Sequence, residues 1–123
     1  MGERPARQRI EPVDRAAIDA DEELTATLAG SLTHDGMPLN IFGVLARHPK
    51  LYKRFNLLGG FLLNKGLLPE RERELVILRV GWNARAQYEF GQHTIIGRRT
   101  GLTDEEIVAL TRDPSDHEWS ADD

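Results

Sequence analysis

Apolar residues recur at helical spacing along most of this chain, and strand-like alternation is sustained nowhere, so the sequence reads as all-α. The helices carry explicit boundary signals. Pro49 and Pro69 each suit a first helical position, where a missing N–H costs nothing. One helix is predicted from Pro49 to about Asn64, closed by Lys65-Gly66. The Gly59-Gly60 pair inside it suggests a kink or the close approach of another helix. Glu70 and Glu72 follow Pro69 where the helix dipole favours negative charge. That helix runs through ERERELVILRV to about Gly81, and Gly81-Trp82-Asn83 is expected to break it. The next is expected from about Arg85 to Thr100, ended by Gly101. Thr103 and Glu106 then form a capping box, with Leu102 and Ile107 placed as its hydrophobic staple, over a helix at about 104–111.

The flanks are less regular. Residues 1–20 contain Pro5 and Pro12 and are expected to form an extended N-terminal arm. Leu24, Leu28 and Leu32 at i, i+4 and i+8 predict a short helix over 21–32, and Thr33 to Pro38 is a turn cluster. Residues 39–47 predict another short helix. The helical domain is thus expected over 21–112, followed by an acidic tail, 113–123, with no folding signal of its own. His34, His48 and His117 fall in turns and are expected at the surface.

Composition removes several functions. There is no cysteine among the 123 residues, so disulfides, thiolate metal sites and thiol redox chemistry are excluded. No apolar run reaches the ~20 residues of a membrane span. The N-terminus lacks the apolar stretch of a secretory signal, and a cytoplasmic protein is expected. The net charge is −4, which disfavours nucleic acid as a partner. The acidic residues concentrate at the ends, and residues 24–111 carry a net charge of +3. Such a body suits a small carboxylate, although a solvated helix surface gives the same count.

Two places hold candidate chemistry. Glu89 and His93, at i and i+4, share one face of a helix. A carboxylate beside an imidazole orients the ring and raises its basicity, as an acid–base pair requires. The same spacing is also common as an ordinary ion pair on exposed helices. Glu74 is the second candidate, since its neighbours at i+3, i+4 and i+7 are Ile77, Leu78 and Gly81. A carboxylate on an apolar stripe must be paired, hydrogen-bonded or protonated. It is either a general acid–base group or half of a buried salt bridge with Arg79 or Arg85. If the chain folds back near residue 82, Glu74 and Glu89 lie at similar heights, and Tyr88 supplies a hydroxyl beside them. No third metal ligand is placed by spacing, and neither a phosphate-binding loop nor a nucleophile elbow is present, so no metal or cofactor is expected.

The run from Leu68 to Leu110, LPERERELVILRVGWNARAQYEFGQHTIIGRRTGLTDEEIVAL, resembles the carboxymuconolactone decarboxylase family. The upstream PLNIFGVLARHPKLYKRFNLLGGFLL is similar to the leading helices of that family, so the likeness covers roughly residues 38–112. The resemblance implies the all-helical alkylhydroperoxidase D-like fold, assembled as trimers or hexamers with sites near subunit interfaces. In the peroxidase branch two cysteines precede the histidine. Aligned on His93, these fall on Ala86 and Glu89, while the relay glutamate falls on Glu74. Histidine and relay glutamate are kept and both thiols are missing, so thiol peroxidase chemistry is unavailable. The decarboxylase branch, with its own E-x-x-x-H pair, is the better likeness. Its members continue past the GLTDEEI helix, and those later helices are expected to be absent here, leaving apolar surface near the last helix.

Two functions follow as expectations. One is a cofactor-free lyase or isomerase acting on a small carboxylated lactone or related acid. His93 would move the proton, Glu89 would orient it, Glu74 would be a second acid–base group, and Tyr88, Arg79 or Arg85 would hold the substrate. The other is a non-catalytic helical oligomer or binding module in which the same residues form an ion-pair network.

Overall fold

The structure is a computed structural model and describes residues 9–121. It contains α1 (Arg15–Ala20), α2 (Glu22–Leu28), α3 (Asn40–Leu45), α4 (Pro49–Lys65), α5 (Glu70–Asn83), α6 (Gln87–Arg99) and α7 (Asp104–Ala109), then a 3-10 turn, Pro114–Asp116. Among the described residues there is no strand, only a single antiparallel bridge between Leu32 and Pro38. No described helix is long and apolar enough to cross a membrane. The chain divides into two compact units, one up to Gly60 and the other from Phe61 onward.

In the first unit the expected arm is only partly an arm. Its residues 1–8 lie outside the described residues, but 15–20 form α1. Asp14 caps that helix, its carboxylate accepting from the Ala17 N–H at 2.7 Å. Asp21 caps α2 in the same way through Leu24 N–H at 3.0 Å. Val13 and Ile18 join Leu24, Leu28, Ala46 and Tyr52 in one buried cluster. A six-residue helix with a single core residue has no measurable period, which is why the sequence pattern does not reveal it. Leu32 is not on the α2 stripe. The helix stops at Leu28, and the turn expected at 33–38 is present, with Thr33 N–H donating to the Met37 carbonyl at 2.9 Å.

α4 runs unbroken through Gly59 and Gly60, and no other helix lies against either. A side chain at Gly60 would meet nothing within 4 Å. The pair instead sits at the end of the first compact unit.

The second unit is built on a helical hairpin. α5 does not break at Gly81; it runs to Asn83. The chain reverses at 84–86, where Arg85 takes a left-handed conformation, φ 56°. Ala86 N–H donates to the Gly81 carbonyl at 2.8 Å, and Arg85 N–H to that of Trp82 at 2.9 Å. This is a Schellman closure with arginine where glycine is usual. Gly81 serves packing instead, since a Cβ there would lie 3.6 Å from Phe90 N on α6. Gly97 is tighter still: its Cβ would fall 2.9 Å from a Leu102 methyl. The capping box forms as the sequence predicts. Thr103 N–H donates to Glu106 Oε2 at 2.8 Å, and Glu106 N–H to Thr103 Oγ1 at 3.2 Å. Leu102 and Ile107 are buried together with Leu75, Leu78 and Leu110. Trp119 packs against that cluster, and its indole N–H donates to the Pro114 carbonyl at 3.0 Å. The acidic tail therefore contributes to the core. His117 goes with it, half-buried and edge-on to the Trp119 ring.

Candidate functional site

The hairpin brings Glu74 and His93 together. On α5, Glu74, Leu78 and Gly81 occupy one buried face, as i, i+4 and i+7 positions do. That face meets α6, whose first two turns carry Tyr88, Glu89 and His93. Glu74 is completely buried. Its Oε2 lies 2.6 Å from His93 Nδ1, and its Oε1 accepts from Arg73 Nε at 3.0 Å. The other imidazole nitrogen, Nε2, is 3.9 Å from Glu89 Oε2. The ring is 12% exposed and the Glu89 side chain 39%. A line thus runs from a buried ion pair through an imidazole to a carboxylate in contact with water.

This line can hold a proton and move it. An ionised Glu74 only accepts hydrogen bonds, so it fixes Nδ1 as the donor and turns Nε2 toward Glu89. At 3.9 Å the Nε2 to Glu89 separation exceeds hydrogen-bond distance, and a water or a substrate oxygen can bridge such a gap.

The remaining sequence candidates fall differently. Tyr88 hydroxyl is buried with no hydrogen-bond partner, and so is one carboxylate oxygen of Glu72. Arg85 is exposed at the hairpin turn. Arg79 is not brought to the carboxylates. Its Nη1 donates to the carbonyls of Leu110 and Arg112 at 2.7 and 2.6 Å, closing the end of α7. It also borders an apolar groove of about 300 Å³ whose walls include Leu75, Val80, Leu110 and Trp119. A second groove, of about 400 Å³, lies over α7 beside Asp104, Arg112 and His117. Neither is lined by Glu74, Glu89 or His93. Among the described residues no group of three or more His, Cys, Asp or Glu side chains is placed to hold a metal ion.

From sequence, the salt-bridge partner of Glu74 is expected to be Arg79 or Arg85; the structure supplies Arg73 instead. Adjacent residues on a helix do not face one another, so spacing gives no signal for this pair. The Arg73 side chain curls back, reaching Leu63 carbonyl at the end of α4 with Nη1 at 2.6 Å.

Fold and site together define an all-helical protein with a buried glutamate–histidine pair between the two arms of a helical hairpin. A family model, that of the Carboxymuconolactone decarboxylase family, matches residues 49–119. The chain belongs to that family, as a member without cysteine. Neither a curated protein nor a solved structure matches it significantly.

Proposed function

We propose that this protein is a cofactor-free acid–base lyase or isomerase whose substrate is a small carboxylated lactone or a related acid. The observation that carries this reading is the 2.6 Å contact between buried Glu74 and His93 Nδ1, which leaves Nε2 facing the partly exposed Glu89. In a decarboxylation the C–C bond to the carboxylate breaks, CO2 departs, and the electron pair stays on the α-carbon as an enolate. Protonated His93 Nε2 delivers a proton to that carbon and recovers one from solvent by way of Glu89. Tyr88, with its hydroxyl unpaired, donates to a substrate oxygen. Of the two candidate arginines, this reading keeps Arg85, exposed at the hairpin turn that joins α5 to α6, for the substrate carboxylate.

The family likeness and the exposed side chains of Leu57, Leu58, Phe61 and Leu62 support an assembly of like chains. Light scattering behind a sizing column tests that point, and a strictly monomeric protein would refute it.

The competing reading, a non-catalytic oligomer or binding module, has one observation in its favour. Both oxygens of Glu74 are satisfied, by Arg73 and His93, without a ligand. Turnover of a panel of carboxylated lactones, followed by CO2 release and product NMR, separates the two. No turnover of any panel member, with wild type and His93→Ala indistinguishable in ligand binding, would sink the catalytic reading.

A further inference from the structure

We propose that the apolar groove between α5 and the chain that follows α7 is a binding site for a small amphipathic acid, an apolar chain or ring ending in one carboxylate. The site is separate from the acid–base candidates, since Glu74, Glu89 and His93 do not line it. The groove holds about 300 Å³. A water takes up ~30 Å³ of liquid, so the space suits a ligand of about ten non-hydrogen atoms. Leu75, Val76 and Val80 of α5 supply one part of the wall, and Leu110 and Trp119 another. Val76 and Val80 are 53% and 60% exposed, so a ligand seated on them takes apolar surface out of water. The Trp119 ring is already fixed by its bond to the Pro114 carbonyl at 3.0 Å, and no freedom is lost there on binding.

Arg79 gives the groove its sign. Among the described residues it is the charged side chain in that wall. Its Nη1 is fully used, donating to the Leu110 and Arg112 carbonyls at 2.7 and 2.6 Å. Nε and Nη2 have no hydrogen-bond partner among the described residues. Those two nitrogens form the edge of a guanidinium that takes a carboxylate through two parallel bonds. The bonds at Nη1 hold the plane still, so the free edge is preorganised for such a partner. The neighbouring Asp113 does not fill it, because its carboxylate accepts from the Ser115 N–H and hydroxyl at 3.0 and 2.7 Å. An apolar helix from a second copy, or a neutral alkyl ligand, would cover the free edge without an acceptor and pay for its desolvation. A carboxylate with an apolar body satisfies both parts of the groove.

Octanoate is the probe, with octan-1-ol as the control for charge and acetate as the control for the apolar body. Calorimetric titration of the intact protein at neutral pH gives the affinity, and NMR of the Trp119 indole N–H gives the place. Octanoate is expected to bind and to shift that resonance. Octan-1-ol is expected to bind about tenfold or more weakly, the scale of a charge-assisted contact, and acetate more weakly still. Arg79→Gln is expected to lower the octanoate affinity by about tenfold or more. That variant also loses bonds at the end of α7, so Val80→Glu, at an exposed position, repeats the test by setting a like charge in the wall. It is expected to weaken octanoate to a similar degree, and it alone decides if circular dichroism finds Arg79→Gln unfolded. His93→Ala is expected to bind octanoate as the wild type does. Octan-1-ol binding as tightly as octanoate, wild-type affinity in Val80→Glu, or loss of binding in His93→Ala each overturns the proposal. A Trp119 resonance that moves with protein concentration and not with octanoate also overturns it, and gives the groove to a second copy. Turnover enters none of these readouts. A protein that turns over no lactone yet binds octanoate here loses the proposed function and keeps this inference; an active enzyme that ignores octanoate does the reverse.

Discussion

Of the carboxylates in the second compact unit that bind an arginine, Glu74 and Glu106 are the two held largely away from solvent, and their surroundings differ. Glu106 accepts from both ends of the Arg71 fork and from the Thr103 N–H. The Arg71 contact holds its carboxyl below the usual carboxylate range; burial, the next largest effect, opposes it, and the Thr103 N–H adds to the lowering. All its partners are fixed donors, so no proton has anywhere to go. Glu74 is the more deeply buried of the two, yet only one oxygen meets an arginine, and the other meets an imidazole. The acid–base site proposed above would differ from a staple in having an imidazole, rather than a fixed donor, as one partner. That partner must also have a second face toward solvent, as His93 does toward Glu89.

The largest effect that tests this contrast is kinetic. If His93 moves the proton, His93→Ala is expected to lower turnover by about 10²–10⁴-fold. Because the ring is not an internal staple, the thermal midpoint is expected to change much less than for either glutamate variant. Unaltered turnover in that variant removes His93 from the chemistry. Next in size is Glu74→Leu. It leaves Arg73 largely buried without its counter-charge, at a cost of about 3–5 kcal/mol in urea unfolding. A loss under about 1 kcal/mol would mean that water reaches Arg73 and that the pair is not truly buried.

At Glu106 the sign of the pH dependence follows from the lowered carboxyl. Its folded-state affinity for protons is weaker than the unfolded value of 4.5. Its stabilisation is therefore present in full above that value, and is lost as pH falls through the lower, folded one. Glu106→Gln is expected to cost about 1–2 kcal/mol at neutral pH, through loss of the cap and of the partly buried pair. It is also expected to flatten the acid limb of stability measured between about pH 5 and pH 2. An acid limb of wild-type steepness in the variant would assign it to other carboxyls. Asp35 and Asp113, also held low by neighbouring hydroxyl and backbone donors, are the groups to examine then.

Most of this unit is legible in the sequence because its signals are local. Thr103 with Glu106, Gly101 after α6, and the apolar stripe carrying Glu74 each state their role within one or two helical turns. The Glu89/His93 pair is legible for the same reason. What escapes depends on contacts between elements, or on a residue behaving against type. Arg73 is adjacent to Glu74 in sequence, and it meets Glu74 with a side chain whose far end is bonded to the Leu63 carbonyl, a contact no local pattern announces. α1 is too short to show a period and is held by Asp14 and by Ile18 in the core. Trp119 sits in a stretch so acidic that its one large apolar side chain carries no periodic signal. Gly81 points to a break because glycine more often ends helices than lines them, whereas here it lets α6 approach.

The hairpin turn offers the smallest effect, and one that bears directly on the site. Among the described residues Arg85 is the non-glycine residue with positive φ, and a side chain in that region costs about 1–2 kcal/mol. Glycine would relieve that strain but would also loosen the unfolded chain, so Arg85→Gly is expected to stabilise the protein by only about 0.5–1 kcal/mol. A strained arginine kept where glycine would serve points to a use for the guanidinium. If that use is to hold the substrate carboxylate, Arg85→Gly raises KM by about tenfold or more while kcat changes little, since a charge-assisted contact is lost from ground and transition states alike. If both constants stay at their wild-type values while stability rises, Arg85 is a turn residue only. With Arg79 bound at the end of α7 and outside the His93 site, recognition of the substrate carboxylate must then come from groups other than these two arginines.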